Sequence, residues 1–112
     1  MKIETVTFNA CDWTGTMHTV KYRTLNNGTI KFKFQGEEVE VTFAPLGAPD
    51  EEEPYFISGK AFFRDREYAM VKLMKWKRDK LWTATDDDYM NGITRDHENP
   101  VAAICQILSN IL

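Results

Sequence analysis

Strict alternation of apolar and polar residues is the feature that most constrains the fold of this chain. Residues 30–34 read IKFKF and residues 38–43 read EVEVTF. Side chains of a β-strand point to opposite faces in turn, so each segment is typical of a strand with one buried and one solvated face. The short polar stretch between them, with Gly36, fits a hairpin turn. In such a hairpin the lysines of one strand would face the glutamates of the next, which helps fix the register.

The alternation extends to the N-terminal part of the chain. Val6 and Phe8 indicate a strand over about residues 2–9, and Met17, Val20 and Tyr22 indicate a second over residues 16–25. Asn27-Gly28 follows the second of them and is a strong hairpin signal. We therefore expect residues 2–44 to form a four-stranded antiparallel meander.

A second hairpin with basic character is expected after a long loop. Residues 45–54 contain three prolines and four consecutive acids, a composition that does not pair in a sheet and that predicts an exposed acidic loop. Alternation resumes over 55–64 and 68–77, and a short strand is predicted at 81–85. Residues 86–98 are polar and aperiodic, which favours a second acidic loop.

The C-terminal segment 99–112 predicts a helix. Pro100 suits the first helical position, and Asn99 before it is a good N-cap. Only Ala102 and three polar residues are expected on the wet face of this helix, so its apolar surface is wider than one sheet face normally covers. A homodimer through the helix is one way to cover the remainder. The three polar residues are Gln106, Ser109 and Asn110.

These elements predict an α+β fold in one domain spanning residues 1–112. An antiparallel sheet of about six to seven strands, the four-stranded meander plus the second hairpin, would pack against one C-terminal helix. A chain of 112 residues is long enough to bury a single core.

The cysteine content and the N-terminal sequence indicate a cytoplasmic protein. The chain has two cysteines, Cys11 and Cys105, fewer than a small secreted domain usually carries. Residues 1–4 run straight into the first predicted strand without the apolar segment of a secretory signal. No apolar run approaches the roughly 18 residues that a membrane span needs, so no membrane association is expected.

No catalytic, cofactor or metal motif stands out. The two histidines, His18 and His97, lie 79 positions apart and no Cys-x-x-Cys pair is present, which argues against a zinc site. Asp86-Asp87-Asp88 suggests a calcium loop, but Met90 stands where an oxygen ligand is needed and Gly92 comes one position late. A thiol–imidazole pair of Cys11 with a histidine has no family spacing behind it. We therefore expect neither cofactor, nor metal, nor catalytic site.

The charges are unevenly distributed. Between Lys60 and Lys80 eight basic residues stand against three acidic ones, although the whole chain has a net charge of −3. One face of segment 68–77 would carry aromatic residues, methionines and a lysine. Such a face either completes the core, contacts a protein, or stacks single-stranded bases while cations track phosphates. The nucleic-acid candidates are Arg64, Arg66, Lys75, Lys77, Arg78 and Trp82.

The missing catalytic motifs favour a non-enzymatic binding protein, a modulator or inhibitor of a larger protein partner. The chain resembles, in acidity and aromatic content only, small proteins of bacteria and their viruses, and one form of the hypothesis is a virus-encoded inhibitor of a host nucleic-acid-handling or defence protein. The alternatives are a single-stranded nucleic-acid-binding sheet using segment 60–82, and a small hydrolase with Asp86, Asp88, His18 or His97 as acid–base groups. The partner-binding candidates are Glu51, Glu52, Glu53, Asp86, Asp87, Asp88, Tyr68, Lys72 and Trp76.

Overall fold

Each strand of the sheet pairs with the next strand along the sequence. The computed structural model describes residues 1–9, 15–46, 56–63, 70–76, 78–86 and 93–111. The sheet strands are β1 (Lys2–Asn9), β2 (Met17–Thr24), β3 (Ile30–Phe34), β4 (Glu37–Leu46), β5 (Phe56–Phe62), β6 (Met70–Trp76), β7 (Trp82–Asp86) and β8 (Ile93–His97), and one helix follows, α1 (Pro100–Ile111).

The strands form one antiparallel sheet in the order of the sequence, from β1 to β8. The sheet curls into a half-barrel around α1, which packs against β1 at one end of the strand order and against β6, β7 and β8 at the other. The predicted α+β arrangement of an antiparallel sheet on one C-terminal helix is therefore confirmed. The predicted strand count of six to seven is wrong, because the sheet has eight strands.

The additional strand is β8, which lies within the predicted acidic loop 86–98. Its inward side chain Thr94 is polar and only 2% exposed. The Thr94 hydroxyl donates a hydrogen bond to Oε1 of Gln106 on α1, at 2.8 Å. Strands are recognised in a sequence by alternating apolar residues. The sequence does not reveal β8, because its buried position holds a polar threonine. The other boundary correction is at β4, which continues through Pro45 to Leu46, so the 45–54 loop was predicted to begin two residues early.

The β3–β4 hairpin has the turn and the register that the sequence predicts. Gln35 and Gly36 both have positive φ, 50° and 82°, as a two-residue type I′ turn requires. Lys31 lies opposite Glu40 and Lys33 opposite Glu38. The Lys31 ammonium is 3.7 Å from the Glu40 carboxylate.

The helix fills the concave inner face of the sheet. Seven consecutive or near-consecutive residues of α1 are at most 2% exposed. Ala102, expected on the wet face, is among them. The sheet of the same chain already covers this apolar surface, so the reason for proposing a dimer through the helix no longer holds. The buried residues are Val101, Ala102, Ala103, Ile104, Cys105, Ile107 and Leu108.

A chain of hydrogen bonds anchors the start of α1 to β1 and β2. The Asn99 Oδ1 accepts a bond from the Val101 N–H at 2.8 Å, which caps the helix as predicted. The same amide donates through Nδ2 to the Tyr22 hydroxyl at 3.0 Å. The Tyr22 hydroxyl in turn donates to Oε2 of Glu4 at 2.9 Å. The helix start is thus fixed to two strands at once.

This chain of bonds changes the acidity of its members. Hydrogen bonds from Lys2 and then from Tyr22 lower the pKa of Glu4, because both stabilise the carboxylate. Burial is the main cause that raises the pKa of Tyr22, and the bond to Glu4 adds to it, because both disfavour the phenolate.

The raised pKa of Tyr22 predicts a loss of stability at alkaline pH. The group contributes stability below its unfolded pKa of about 10, and this contribution disappears as the pH rises through the higher folded value. We expect the free energy of unfolding of the wild type to fall more steeply above about pH 10 than that of Tyr22→Phe. Urea unfolding at a series of pH values measures both slopes. Parallel slopes would contradict the prediction.

Close packing of β4 against β5 depends on a glycine. Gly59 lies opposite Phe43, and a Cβ at Gly59 would come within 2.9 Å of two ring atoms of Phe43 and 3.2 Å of the Leu73 Cβ. The Phe43 ring also packs at 5.6 Å, centroid to centroid, on Trp82. Any side chain at position 59 must therefore push the Phe43 ring out of its contact.

Gly59→Ala should destabilise the protein by about 1–3 kcal/mol, the usual cost of forcing extra volume into a packed site. Chemical denaturation measures the change, with Ser58→Ala in the same strand as the control. Adding Phe43→Leu to Gly59→Ala should cost less than the sum of the two single changes, since the smaller side chain leaves room for the new methyl group. Additive costs would show that the Phe43 ring is not the obstacle.

Candidate functional site

The outer face of β6 carries large side chains in solvent. Val71 and Leu73 are buried on the inner face, whereas Lys72, Met74 and Trp76 point outward. Trp76 is 52% exposed and Met74 46%. The sequence allowed the aromatic and methionine-bearing face of segment 68–77 to complete the core under the helix. For Trp76 this interpretation is wrong, because the side chain lies in solvent. The alternation of the segment, with one core face and one aromatic and methionine-bearing face, is confirmed for the described part of β6.

The exposed residues of β6 continue onto the next strand. Met74 lies opposite Thr83 of β7, and extending this register by two residues places Leu81 beside Trp76. Leu81 is 46% exposed. We call Met74, Trp76 and Leu81 the apolar patch. Ile93 of β8, 49% exposed, lies opposite Thr85 at the far side of the same sheet face. Sequence reasoning missed Leu81 and Ile93, because short strands give too little alternation to show their faces.

A shallow depression of about 500 Å³ adjoins the apolar patch at Leu81. Two cations and two carboxylates border it, and Thr83 lies in its floor. The depression is open to solvent and could receive a side chain of another molecule. The residues that line it are Asp79, Lys80, Leu81, Thr83, Arg95 and Glu98.

Two of the predicted nucleic-acid residues have structural contacts. Trp82 is only 7% exposed and lies on the inner face against Phe43, so it cannot stack a base, which corrects the prediction. The Lys75 ammonium lies 5.7 Å from the centroid of the Trp82 ring and donates to the Asp79 carbonyl oxygen at 3.0 Å. Lys75 therefore closes the β6–β7 turn over the tryptophan. Arg78, in the same turn, is exposed.

The predicted acidic contacts fall mostly outside the described residues. Asp86 is described, and it is only 6% exposed at the end of β7, opposite Val71. The sequence predicts Asp86 in an exposed acidic loop. It is buried because it belongs to β7 and lies on the inner face of the sheet. Nothing in the structure tests the other candidates, which stay predictions. The residues outside the described ranges are Glu51, Glu52, Glu53, Arg64, Arg66, Tyr68, Lys77, Asp87 and Asp88.

The two histidines meet on the inner side of the sheet. The rings of His18 and His97 both pack on Phe8, with centroids 5.6 Å and 6.3 Å from it. His97 Nε2 also shares a hydrogen bond with Oε1 of Gln106 on α1. Within the described ranges, no three residues among the histidines, cysteines and acids could hold a metal ion. The histidines thus contribute to the packing between β1, β2, β8 and the helix.

The thiol of Cys105 is fully buried in α1. Burial raises its pKa, because the thiolate would have to lie in an apolar surrounding. A thiol of this kind packs as a small apolar group and is a poor nucleophile. Cys11, the other cysteine of the proposed thiol–imidazole pair, lies outside the described residues.

Comparisons with protein-family models, with curated proteins and with solved structures give no match to this chain. The described helix is too short and not apolar enough along its length to cross a membrane. Candidate function must therefore be argued from the surface that the chain itself presents.

The exposure of Trp76 can be tested by fluorescence quenching. The chain has three tryptophans, of which Trp76 is half exposed and Trp82 buried. We expect Trp76→Phe to remove a component that acrylamide quenches readily, and Trp82→Phe to remove one that it quenches poorly. Equal quenching constants for the two variants would contradict the placement of β6 and β7.

Proposed function

We propose that the protein is a non-enzymatic binding protein that docks a larger protein against the apolar patch of β6 and β7. The half-exposed Trp76 is the observation that carries this proposal. Tryptophan and methionine are enriched at protein interfaces, and tryptophan is one of the three residue types enriched among those that dominate binding energy. The modulator or inhibitor role expected from the sequence is the finer form of the same proposal.

The charges around the apolar patch favour a partner of a particular kind. Lys72 lies on the same face of β6 as Met74, and Arg78 is exposed in the turn that follows Trp76. Lys80 and Arg95 line the adjoining depression together with Asp79 and Glu98. This excess of positive charge would favour a partner surface with apolar side chains at its centre and carboxylates around them. The depression beside Leu81 could receive one such apolar side chain, as binding hot spots usually fill a pocket.

The test compares matched methionine variants of the full chain. Met74 in the apolar patch and Met17 on β2 are both exposed, at 46% and 58%, and both lie on the outer face of the sheet. Met74→Ser and Met17→Ser therefore remove the same side chain from different surfaces. Tagged wild type, both serine variants and Trp76→Ala would be incubated with an extract of the native host, and retained proteins quantified by mass spectrometry.

The expected result is a protein retained by the wild type and by Met17→Ser, reduced by Met74→Ser and lost with Trp76→Ala. Calorimetry with the purified partner should then show a loss of affinity of about tenfold or more for Trp76→Ala, the range of an interface hot spot. Thermal unfolding confirms that all variants are folded. Retention that does not depend on Trp76 and Met74, or no retention by the wild type, would contradict the proposal.

A further inference from the structure

A second surface lies at the other end of the outer sheet face, on β1, β2 and β3. Ten side chains of these strands point outward, four are basic and none is acidic. We call Lys21, Arg23, Lys31 and Lys33 the basic face. The remaining outward residues are Ile3, Thr5, Thr7, Asn9, Met17 and Thr19. Four cations gathered on the neighbouring strands β2 and β3 of a chain with net charge −3 are a local concentration of charge.

The register places two of these cations directly against each other. Arg23 of β2 lies opposite Lys31 of β3. Like charges at directly opposite positions of an antiparallel pair destabilise the sheet. Lys31 is partly compensated by Glu40 at 3.7 Å. Within the described ranges, no ion pair involves Lys21, Arg23 or Lys33. The folded sheet therefore holds a repulsion that a bound anion would relieve.

The basic face borders an open groove of about 780 Å³. All four cations line it, and Ile3 and Phe62 add exposed or half-buried apolar surface at its sides. Three glutamates, Glu37, Glu38 and Glu40, line the groove on the β4 side and would direct an anion toward β2. Pockets for small ligands usually enclose most of the ligand surface. A shallow groove on a sheet face instead fits a long ligand that stays partly in solvent.

The spacing of the cations fits a ligand with repeated negative charges. Lys21 and Arg23 are two residues apart on one strand, so their Cα atoms are about 6.8 Å apart along β2. Lys31 and Lys33 repeat this interval on the neighbouring strand. The hydroxyls of Thr7 and Thr19, which bond to each other at 3.0 Å, continue the polar surface along β1 and β2. Sheet faces that combine cations with apolar rings are a recurring way to bind single strands.

We propose that the basic face binds the phosphodiester backbone of a single-stranded nucleic acid. The cations of this site lie on β2 and β3, outside the 60–82 segment from which the sequence suggested nucleic-acid binding, and of that segment the site would use Phe62. It is separate from the apolar patch and goes beyond the proposed docking of a protein. Bases would lie along the groove toward Phe62, and the cations would contact successive phosphates.

The test is a fluorescence anisotropy titration of a labelled thymidine oligonucleotide of about 15 nucleotides, within the site sizes of single-strand binders. Lys21→Gln combined with Arg23→Gln removes two cations of the basic face. Arg78→Gln combined with Lys80→Gln removes two exposed cations of the 60–82 segment and is the charge-matched comparison. All four positions are exposed, so both double variants should fold, and thermal unfolding checks this.

We expect saturable binding by the wild type at low salt, with affinity falling as salt rises. The Lys21/Arg23 variant should bind about tenfold more weakly or worse, and its slope of log affinity against log salt should be smaller by about 1.4, which is two phosphate contacts on a single strand. The Arg78/Lys80 variant should stay within about twofold of the wild type.

Three results would overturn the proposal. The first is no saturable binding by the wild type at low salt. The second is an equal loss in the two double variants, which would show a general charge effect or a site on the 60–82 segment. The third is displacement of the oligonucleotide by thymidine monophosphate at comparable concentrations, which would identify a small phosphate ligand. None of these results bears on the retention experiment with Met74 and Trp76, so the two proposals can fail separately.

Discussion

Burial of α1 by the sheet is the constraint on which the rest of the structure depends. Ile104, Ile107 and Leu108 are at most 1% exposed, and each such side chain contributes about 1.5–3 kcal/mol relative to an exposed one. The helix contacts β1 as well as β6, β7 and β8, although these strands lie at opposite ends of the strand order. An eight-stranded sheet reaches both sides of one helix only if it curls. Small residues such as Ala61, Ala84 and Gly59 are buried on the inner face, and at Gly59 the missing side chain lets the Phe43 ring approach the backbone closely.

Because the inner face and the helix supply the core, the outer face of the sheet has no comparable role in stability. An apolar residue such as Trp76 gains little from folding when half of its surface stays in water. A like-charge pair such as Arg23 and Lys31 costs stability. Both features lie on the face that the fold leaves to solvent. Neither feature belongs to the core that the inner face and the helix form, which is the reason both proposals concern this face.

The sequence predicts the local structure of this protein better than its curvature. Alternation at 30–34 and 38–43 and the Gln35-Gly36 turn give the β3–β4 pair with its register, because these signals are contained in neighbouring residues. Asn99-Pro100 gives the helix start in the same way. The curl depends on contacts between α1 and strands up to about a hundred positions away, and no local pattern encodes it. The sequence therefore shows the wide apolar surface of α1, but it does not show that strands from both ends of the sheet bury this surface.

The sites were harder to predict because the direction of a strand face is decided by its neighbours. Trp76 and Trp82 lie six positions apart in one basic segment, yet one is 52% exposed and the other 7%. The difference follows from the phase of β6 and β7 relative to the helix. For β8 the inward residue Thr94 is polar and finds its partner on α1, so the sequence resembles a loop. Asp86, at the end of β7, is buried for the same reason of phase.

Polar contacts between the sheet and the helix give both outer surfaces a fixed shape. The bonds from Asn99 to Tyr22 and from Tyr22 to Glu4 hold the start of α1 to β1 and β2, beneath the basic face. Thr94 and His97 hold β8 to the middle of α1 through Gln106, beside β7, which begins directly after Leu81. Side chains on strands that are fixed in this way lose less conformational entropy on binding than side chains on loops. The position of the apolar patch and the basic face on regular strands, backed by one helix, therefore suits surfaces that bind without prior rearrangement.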